Sequence, residues 1–288
     1  MSYAIHLLVI IAIYALLASS LNLTAGFMGL VSICQAAFFG VGAYVAALFL
    51  RGQNSHAAAV LGVSLLIGWC VGALVAVALF RLKEDYFAIA SFAFQAIASA
   101  SFYNLRPLTG GAPGIGGIAT LNFSIVRFTS PWHFAAFLVC VVVILVLVQL
   151  ALVHSPAGRV LAATREDEVR VMGIGLDPNR YRLALFAAGA AVAALAGTLY
   201  ASYMTFVDPT PFSVNESILI LCCVILGGSG KVAGPILGAA ALVCLPEVLR
   251  FVGLPSAVAA NIRQIVFGLG LIVVIMMRPS GLRGATRS

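Results

Sequence analysis

The chain has 288 residues, of which 62% are hydrophobic and 9% are charged, and its formal net charge is +7. Soluble domains are about half apolar and about a quarter charged, so this composition excludes soluble, disordered, collagen-like and disulfide-stapled chains. It predicts an all-α polytopic membrane protein, because each spanning helix takes about 20 apolar residues.

Apolar segments bounded by glycine, proline or charge predict about nine transmembrane helices, within a range of about eight to ten. They lie at 3–22, 30–50, 57–80, 86–104, 132–154, 180–203, 214–228, 233–250 and 258–277. The first segment has no Lys or Arg before it and is longer than a signal-peptide core, so we interpret it as a retained span. Residues 1–288 are therefore expected to form a single transmembrane domain.

The boundary between the first two spans, at residues 24–29, is ambiguous. It is either a tight loop or a break within one discontinuous helix, and a break at membrane depth would have to be buried or face a water-filled path. In the third span, Gly68 and Gly72 have the spacing that lets two helix backbones approach closely, which predicts a packing role.

Capping signals mark two later helix starts. Asp177 followed by Pro178 has an N-cap residue before proline at the first helical position. Ser213 with Glu216 three residues later matches a capping box.

Lysine and arginine predict the orientation, because cytoplasmic loops carry an excess of both. With nine spans, the loops at 81–83, 159–182 and 231 and the tail at 278–287 share one side and hold 11 of the 16 basic residues. This places the C-terminus in the cytoplasm and the N-terminus outside. Basic loops also explain the positive net charge without nucleic acid.

No constellation for chemistry on a substrate is apparent. The His residues lie far apart at span ends, and the Cys residues have no metal-ligand spacing, so we expect no catalytic and no metal site. The run 227–231 is similar to a phosphate loop, but Ile225 replaces its first glycine and Val232 replaces its Ser or Thr. An ATP-independent secondary transporter would need carboxylates deep in the spans, and an intramembrane enzyme would need a catalytic pair on facing helices.

The segment 155–182 holds nine of the chain's 25 charged residues. Thr164 followed by Asp167 predicts an N-cap, and Glu166 with Asp167 places negative charge at the positive end of the helix dipole. Glu166 and Arg170 have the spacing and order of a stabilising ion pair.

Gly173 or Gly175 can end this helix, which would then have about two turns. A helix this short is not stable alone and needs a partner surface. We interpret it as a lever that docks into a cytoplasmic subunit, and the alternative is a solvated helix lying on its own protein.

Motifs in a fixed order extend from about residue 8 to residue 282. They are Leu21-Asn22-Leu23 with Gly26, 35–44, Asp85-Tyr86-Phe87-Ala88, 108–111 with Gly114, 163–168 with Gly175, Arg182 and Phe186, 194–197, Asp208-Pro209 with Phe212, 227–230 with Gly234, and 278–282. This set resembles the LivM-type permease subunits of branched-chain amino acid ABC importers.

The resemblance implies a transport subunit and not an enzyme. Such a chain would pair with a homologous second permease, two ATP-binding cassette subunits and a periplasmic binding protein, in the lipid bilayer of a bacterial inner membrane. It would bind no cofactor itself, and ATP and Mg would lie on the ATPase partners. The cargo would be branched-chain or other hydrophobic amino acids, with urea, short amides or aromatic acids as the alternative.

Three sets of residues are the expected contact sites. The ATPase-docking set is Arg165, Glu166, Asp167, Glu168, Arg170 and Gly175. The substrate-pathway set consists of polar residues in or near spans, namely Asn22, Gln35, Tyr44, Gln95, Asn104, Asn215 and Glu216. The periplasmic-loop set, expected to touch the binding protein, is Thr109, Gly110 and Gly111. Interhelical hydrogen bonds, helix capping and a flexible connector are the structural alternatives for these sets.

Four positions depart from the family pattern. Cys34 and Glu84 stand where glycine is usual, and Arg170 and Val171 stand where small alanines are usual. A bulkier and more basic docking face suggests a dedicated ATPase partner.

Overall fold

The computed structural model describes residues 2–51, 56–82, 84–121 and 131–251. Its helices are α1 Ser2–Asn22, α2 Gln35–Leu50, α3 Ala57–Leu79, α4 Glu84–Asn104, α5 Arg106–Thr109, α6 Pro131–His154, α7 Pro156–Glu166, α8 Glu168–Gly173, α9 Pro178–Met204, α10 Val214–Gly227 and α11 Gly234–Phe251. A π-helix, Leu23–Met28, extends α1, and a 3₁₀ turn covers Thr210–Phe212. Strands β1 Ile115–Gly116 and β2 Phe206–Val207 pair antiparallel.

Five helices among the described residues are long and apolar enough to cross a membrane, which confirms an all-α polytopic membrane protein. They are Tyr3–Met28, Ala57–Leu79, Tyr86–Asn104, Pro131–His154 and Pro178–Met204. Three shorter apolar helices are Gln35–Leu50, Val214–Gly227 and Gly234–Cys244. The predicted span at 258–277 lies outside the described residues, so the count of nine stays a prediction.

Helix α9 packs closely against α2 and α3 through small residues. A Cβ added to Gly42 would lie 1.8 Å from the carbonyl oxygen of Ala194. One added to Gly68 would lie 2.6 Å from the Cβ of Ala194, and one added to Gly72 would lie 2.4 Å from the Cβ of Ala190. Contacts this close exclude larger side chains, so the packing role predicted for Gly68 and Gly72 is confirmed.

The turn between α1 and α2 differs from both sequence-based alternatives. The π-helix ends at Met28 and is capped by Gly29, whose φ of 78° is left-handed, and residues 29–34 are not helical. The second helix therefore begins at Gln35 and not at the predicted residue 30. Helices α1 and α2 are separate elements joined by this long turn, so the segment is neither a tight loop nor a break within one helix.

Helix α2 begins near the middle of α9. The Gln35 side chain contacts the carbonyl of Gly189, which is the twelfth of the 27 residues of α9. The C-terminal ends of α2 and α9 lie together, because a loop residue, Ala119, donates to the carbonyl of Leu50 and Ile118 donates to that of Thr205. Residues 29–34 are therefore non-helical backbone inside the bundle, where membrane proteins tolerate it only when it is enclosed or lines a cavity.

Loops of the described residues gather at two ends. At one end, Arg165 of α7 contacts Gly26, and Asn22 contacts Lys231 in the turn between α10 and α11. At the other end, Arg51 forms a bridge with Ile118, and β1 pairs with β2. The connections thus alternate between the ends as the span order requires, while the cytoplasmic assignment of one end stays a prediction.

Candidate functional site

The side-chain amide of Gln95 lies at a junction of four segments. Its Oε1 accepts hydrogen bonds from the Ala37 N–H at 2.7 Å and from the Ser217 hydroxyl at 3.0 Å. Its Nε2 donates to the carbonyl of Phe212 at 2.9 Å and to Ser99 Oγ at 3.2 Å. The residue is fully buried. Both donors and both acceptor positions of the amide are therefore used inside the bundle.

Two short helices begin at this junction, which we call the Gln95 junction. Helix α2 begins at Gln35, and the N–H of Ala36 donates to Ser217 Oγ at 2.9 Å. Helix α10 begins at Val214, two residues after the Phe212 carbonyl. Helix N-termini expose N–H groups and carry partial positive charge. Helices that begin inside the membrane are typical of transporter binding sites. Here the side chains of Ser217 and Gln95 accept hydrogen bonds from two of the N–H groups at the start of α2.

Asn22 and Gln35 connect helix α1 and helix α2 to other parts of the bundle. The Asn22 Nδ2 donates to the Lys231 carbonyl at 3.1 Å, and its Oδ1 accepts from the Gly230 N–H at 3.0 Å. The Gln35 Nε2 donates to Ser20 Oγ at 2.5 Å. Both amides are buried, so each serves at least as a structural cross-link.

Tyr44 lies in an aromatic cluster toward the other end of α2. Its ring centroid is 5.1 Å from that of Phe102 and 5.6 Å from that of Phe212, which also packs on Phe39. The Tyr44 hydroxyl is buried and has no hydrogen-bond partner among the described residues. Among the predicted pathway residues in the described part of the chain, this hydroxyl is the polar atom that is both buried and unpaired.

Glu216 is held by a residue that the sequence analysis did not select. The hydroxyl of Tyr14, midway along α1, donates to Glu216 Oε1. Ser213 is the N-cap of α10, but its side chain makes no capping hydrogen bond. The capping-box prediction is therefore wrong in its hydroxyl half, because the Ser213 hydroxyl does not bond to the helix N-terminus.

Asn104 and Asn215 are exposed on the chain surface. The Asn104 Nδ2 donates to the Ala100 carbonyl of its own helix at 2.9 Å. Of the seven predicted pathway residues, four belong to the Gln95 junction or adjoin it in sequence, namely Gln35, Gln95, Asn215 and Glu216, and the other three lie elsewhere. Their contact with a substrate stays a prediction.

The loop with Thr109, Gly110 and Gly111 is more ordered than a flexible connector. The Thr109 hydroxyl donates to the Phe102 carbonyl at 2.8 Å and accepts from the Gly111 N–H at 3.2 Å. Gly110 and Gly111 have φ values of 74° and 70°, which favour glycine. The residues therefore shape the loop, and their contact with a binding protein stays a prediction.

The segment 155–182 folds as two helices, and one predicted cap is wrong. Helix α7 starts at a Ser155 cap and runs to Glu166, so the Thr164 hydroxyl bonds back to the carbonyl of Val160 inside that helix. Asp167 is the actual N-cap of α8, because its side chain accepts from the Arg170 N–H at 3.2 Å.

The charges of this segment also pair differently from the prediction. Arg170 pairs with Asp167 at 2.9 Å, and the predicted partner of Arg170, Glu166, is in none of the ion pairs of the described residues. Helix α8 ends at Gly173, and Gly175 follows with a φ of 82°, as predicted for the stop. The Asp177 cap before Pro178 is confirmed, since its side chain accepts from the Asn179 N–H.

Helix α8 presents apolar side chains to solvent. Val169 is 75% exposed, Ile174 74% and Met172 50%. Arg170 is exposed beside them, whereas Val171 is buried and so adds nothing to this face. The predicted bulkier and more basic docking face is therefore wrong for Val171. We call Val169, Arg170, Met172 and Ile174 the α8 face.

Two arginines fix α7 and α8 to the bundle. Arg182 of α9, with a side chain only 10% exposed, pairs with Glu168 at 2.9 Å. The Arg165 Nη1 donates to the Gly26 carbonyl at 2.9 Å, and its side chain packs against Gly29. Burial lowers the pKa of the Arg165 guanidinium, which nevertheless stays charged in proteins. A displacement of α8 can therefore reach both α9 and the end of α1.

Sequence reasoning missed Tyr14, Ser99, Ser217 and the Ser64–Thr198 hydrogen bond between α3 and α9. Each is a small or aromatic polar residue within an apolar span, and that was the only available signal. No group of three or more His, Cys, Asp or Glu that could hold a metal occurs in the part of the chain that is described.

Comparison with known proteins gives matches over nearly the whole chain. A family model described as the permease component of branched-chain amino acid transport systems matches residues 3–275. LivM, the high-affinity branched-chain amino acid permease protein of Salmonella typhimurium, is 33% identical over 96% of this chain and 68% of its own length. LivM of Escherichia coli K12 is 32% identical over the same shares. LivH of Salmonella typhimurium is 25% identical over 94% of this chain and 91% of its own length. No solved structure gives a significant match.

Proposed function

The chain belongs to the family of branched-chain amino acid transport permease components, and from this premise we propose that it is the membrane-spanning subunit of an ATP-driven importer. Its cargo is branched-chain or other hydrophobic amino acids. The names of the LivM and LivH relatives support this assignment.

The observation that carries the proposal is the α8 face. Val169, Met172 and Ile174 form an exposed apolar patch beside a cluster of charges, in a segment that is anchored by the Arg182–Glu168 ion pair. Exposed apolar groups with a polar rim are typical of protein-binding surfaces. A short helix held in a groove of a partner can transmit its position to the helices that anchor it.

The partners in this proposal are a homologous second permease, two ATPase subunits and a periplasmic binding protein. ATP and Mg bind to the ATPases, whose closure displaces α8, and the displacement reaches α9 and α1 through Arg182 and Arg165. The end of the bundle that carries α7 and α8 is then cytoplasmic, as is the C-terminus. The opposite end, with the N-terminus and the Thr109–Gly111 loop, faces the periplasm and the inner membrane lies between.

The Gln95 junction is where we propose that the pathway changes its access. Two short helices begin there inside the bundle, and each is held by hydrogen bonds that a small shift of α4 or α10 would break. Gln35, Gln95 and Glu216 lie nearest to this point, since Glu216 directly precedes Ser217. Tyr44 lies farther along α2.

The test of docking is co-purification of the ATPase with the full chain from membranes. Val169→Asp places a charge on the most exposed apolar side chain of the α8 face, so we expect recovery of the ATPase to fall at least about tenfold. Leu105→Asp is the matched control, because Leu105 is 49% exposed at the opposite end of the bundle. Equal recovery with Val169→Asp and the wild type would contradict the proposed docking face.

The cargo is tested with the binding protein of the same complex. We expect isothermal titration to give binding of leucine, isoleucine or valine at least about a hundredfold tighter than binding of urea, acetamide or benzoate. Tighter binding of urea, acetamide or benzoate would leave the proposal of an importer unchanged and would assign it a different substrate.

A further inference from the structure

A cavity of about 560 Å³ opens at the end of the bundle that carries α7. Its walls come from the end of α6, from α7, from the π-helix and from the turn between α10 and α11. Part of the wall is apolar, with Phe27, Leu152, Val153 and Leu161. The charged groups in the lining are Arg159, Arg165 and Glu166. The volume is in the range of small-molecule sites in proteins.

The cavity has an excess of positive charge. The lining holds two guanidinium groups and one carboxylate, and none of the ion pairs among the described residues includes Arg159 or Arg165. Arg165 is held in place by its bond to the Gly26 carbonyl and by packing on Gly29. That bond uses one of the guanidinium donors, and the others can bind an anion.

The cavity adjoins the lipid-facing surface. Its Leu152 and Val153 belong to the last turn of α6, and only 11% of the most apolar stretch of that helix is buried inside the protein. Helix α6 is the most hydrophobic of the five candidate spans and contains no glycine between residues 131 and 154. Membrane helices that pack on other helices use small residues at the contact, so α6 is suited to lipid contact along most of its length.

Helix α7 follows α6 after the single residue Ser155 and brings the charges to the level where this lipid-facing surface ends. A basic pocket at the boundary between acyl chains and water is suited to the headgroup of an anionic lipid. The net charge of +1 from Arg159, Arg165 and Glu166 complements a headgroup whose net charge is −1, such as that of phosphatidylglycerol, and not the net-neutral headgroup of phosphatidylcholine.

We propose that this cavity binds an anionic phospholipid, with Arg159 and Arg165 holding the phosphodiester and one acyl chain lying along Leu152 and Val153. The Arg165 guanidinium then connects the lipid directly to the end of α1. Occupancy thereby links the membrane composition to the position of α7 and α8.

Native mass spectrometry of the full chain in detergent, with added phosphatidylglycerol or phosphatidylcholine of identical acyl chains, tests this site. The wild type is expected to retain phosphatidylglycerol at least about fivefold better than phosphatidylcholine. Arg159→Gln removes an exposed side chain and should weaken retention of phosphatidylglycerol about threefold, and Arg165→Gln should weaken it about tenfold. Arg180→Gln is the control, because that arginine is exposed, pairs with Asp177 and does not line the cavity.

Equal retention of the two lipids, or an equal effect of Arg180→Gln and Arg159→Gln, would overturn the proposal. Displacement of the lipid by millimolar inorganic phosphate would mean that the cavity takes a free anion instead. Loss of the lipid when the ATPase partner is added would mean that a side chain of the ATPase occupies the cavity. Either of these last two results also overturns the lipid site, and neither affects the co-purification test of the α8 face.

Discussion

Replacement of Gln95 by methionine tests the Gln95 junction. Methionine has nearly the length and volume of glutamine, so the change removes the amide while it keeps the packing. It deletes four hydrogen bonds, to Ala37, Ser217, Phe212 and Ser99. Because the residue is fully buried, no bulk water can replace them.

The expected loss in the free energy of unfolding depends on which hydrogen bonds the former partners of Gln95 keep. The Ala37 N–H keeps a longer bond to the Cys34 carbonyl at 3.2 Å, and the Phe212 carbonyl keeps the Ser99 hydroxyl at 2.7 Å. Interhelical hydrogen bonds in membranes contribute about 0.6 kcal/mol on average and up to about 1.7 kcal/mol. Three bonds to other segments and the bond to Ser99 within α4, with partial compensation, give a loss of about 2–3 kcal/mol.

The assay is equilibrium unfolding of the full chain by SDS in mixed micelles. Asn104→Leu is the matched control, because it removes an exposed amide from the same helix whose only described bond is to Ala100. We expect the control to change the free energy of unfolding by less than about 0.5 kcal/mol. A loss below about 0.5 kcal/mol for Gln95→Met, or equal losses for both variants, would refute the reasoning.

Three further changes have defined outcomes in measurements of stability. Gly42→Ala should lower the melting temperature and the yield sharply, since its Cβ would lie 1.8 Å from a carbonyl, whereas Gly62→Ala has no atom within 4 Å and should be neutral or stabilising; equal effects would contradict the close packing of α2 on α9. Tyr14→Phe should cost about 1–2 kcal/mol, and less than additively when combined with Glu216→Leu, which removes the acceptor, because the two side chains share one hydrogen bond; additive losses would argue against that bond. Arg182→Met should cost about 1–2 kcal/mol, a value reduced because its partner carboxylate is one-third exposed, and should speed trypsin cleavage between α7 and α9; an unchanged cleavage rate would separate the ion pair from the anchoring of α8.

Local signals in the sequence predicted much of the helix layout. The Asp177 side chain caps a helix by bonding to an N–H two residues later, so the local sequence was sufficient to predict where α9 begins. The glycine spacing of Gly68 and Gly72 identified a contact surface, but not its partner, because the partner alanines lie in α9, more than a hundred residues away.

Competition between local signals explains the misplaced cap in segment 155–182. The Thr164 and Asp167 pair fits a capping pattern, yet Ser155 and Pro156 start a helix earlier, and that helix passes through Thr164. Once inside a helix, a threonine hydroxyl can bond back to the preceding turn, which removes it as a cap. The next available oxygen, on Asp167, then caps α8.

The Gln95 junction depends on contacts that a single sequence does not contain. Ala37, Gln95 and the segment 212–217 are far apart in the chain and meet only because the turn at residues 29–34 delays the start of α2. Polarity inside a span identified Gln95 as important. It did not distinguish a helix-locking role from a substrate-contacting role.

The central claim is that this chain works as the permease of an ATP-driven importer. Its most direct test is uptake of radiolabelled leucine into proteoliposomes that contain the chain with its second permease and ATPases, with the binding protein added. The account predicts accumulation above the external concentration that requires both hydrolysable ATP and the binding protein, and that Val169→Asp abolishes. Uptake that is the same with ATP and with a non-hydrolysable analogue would contradict it.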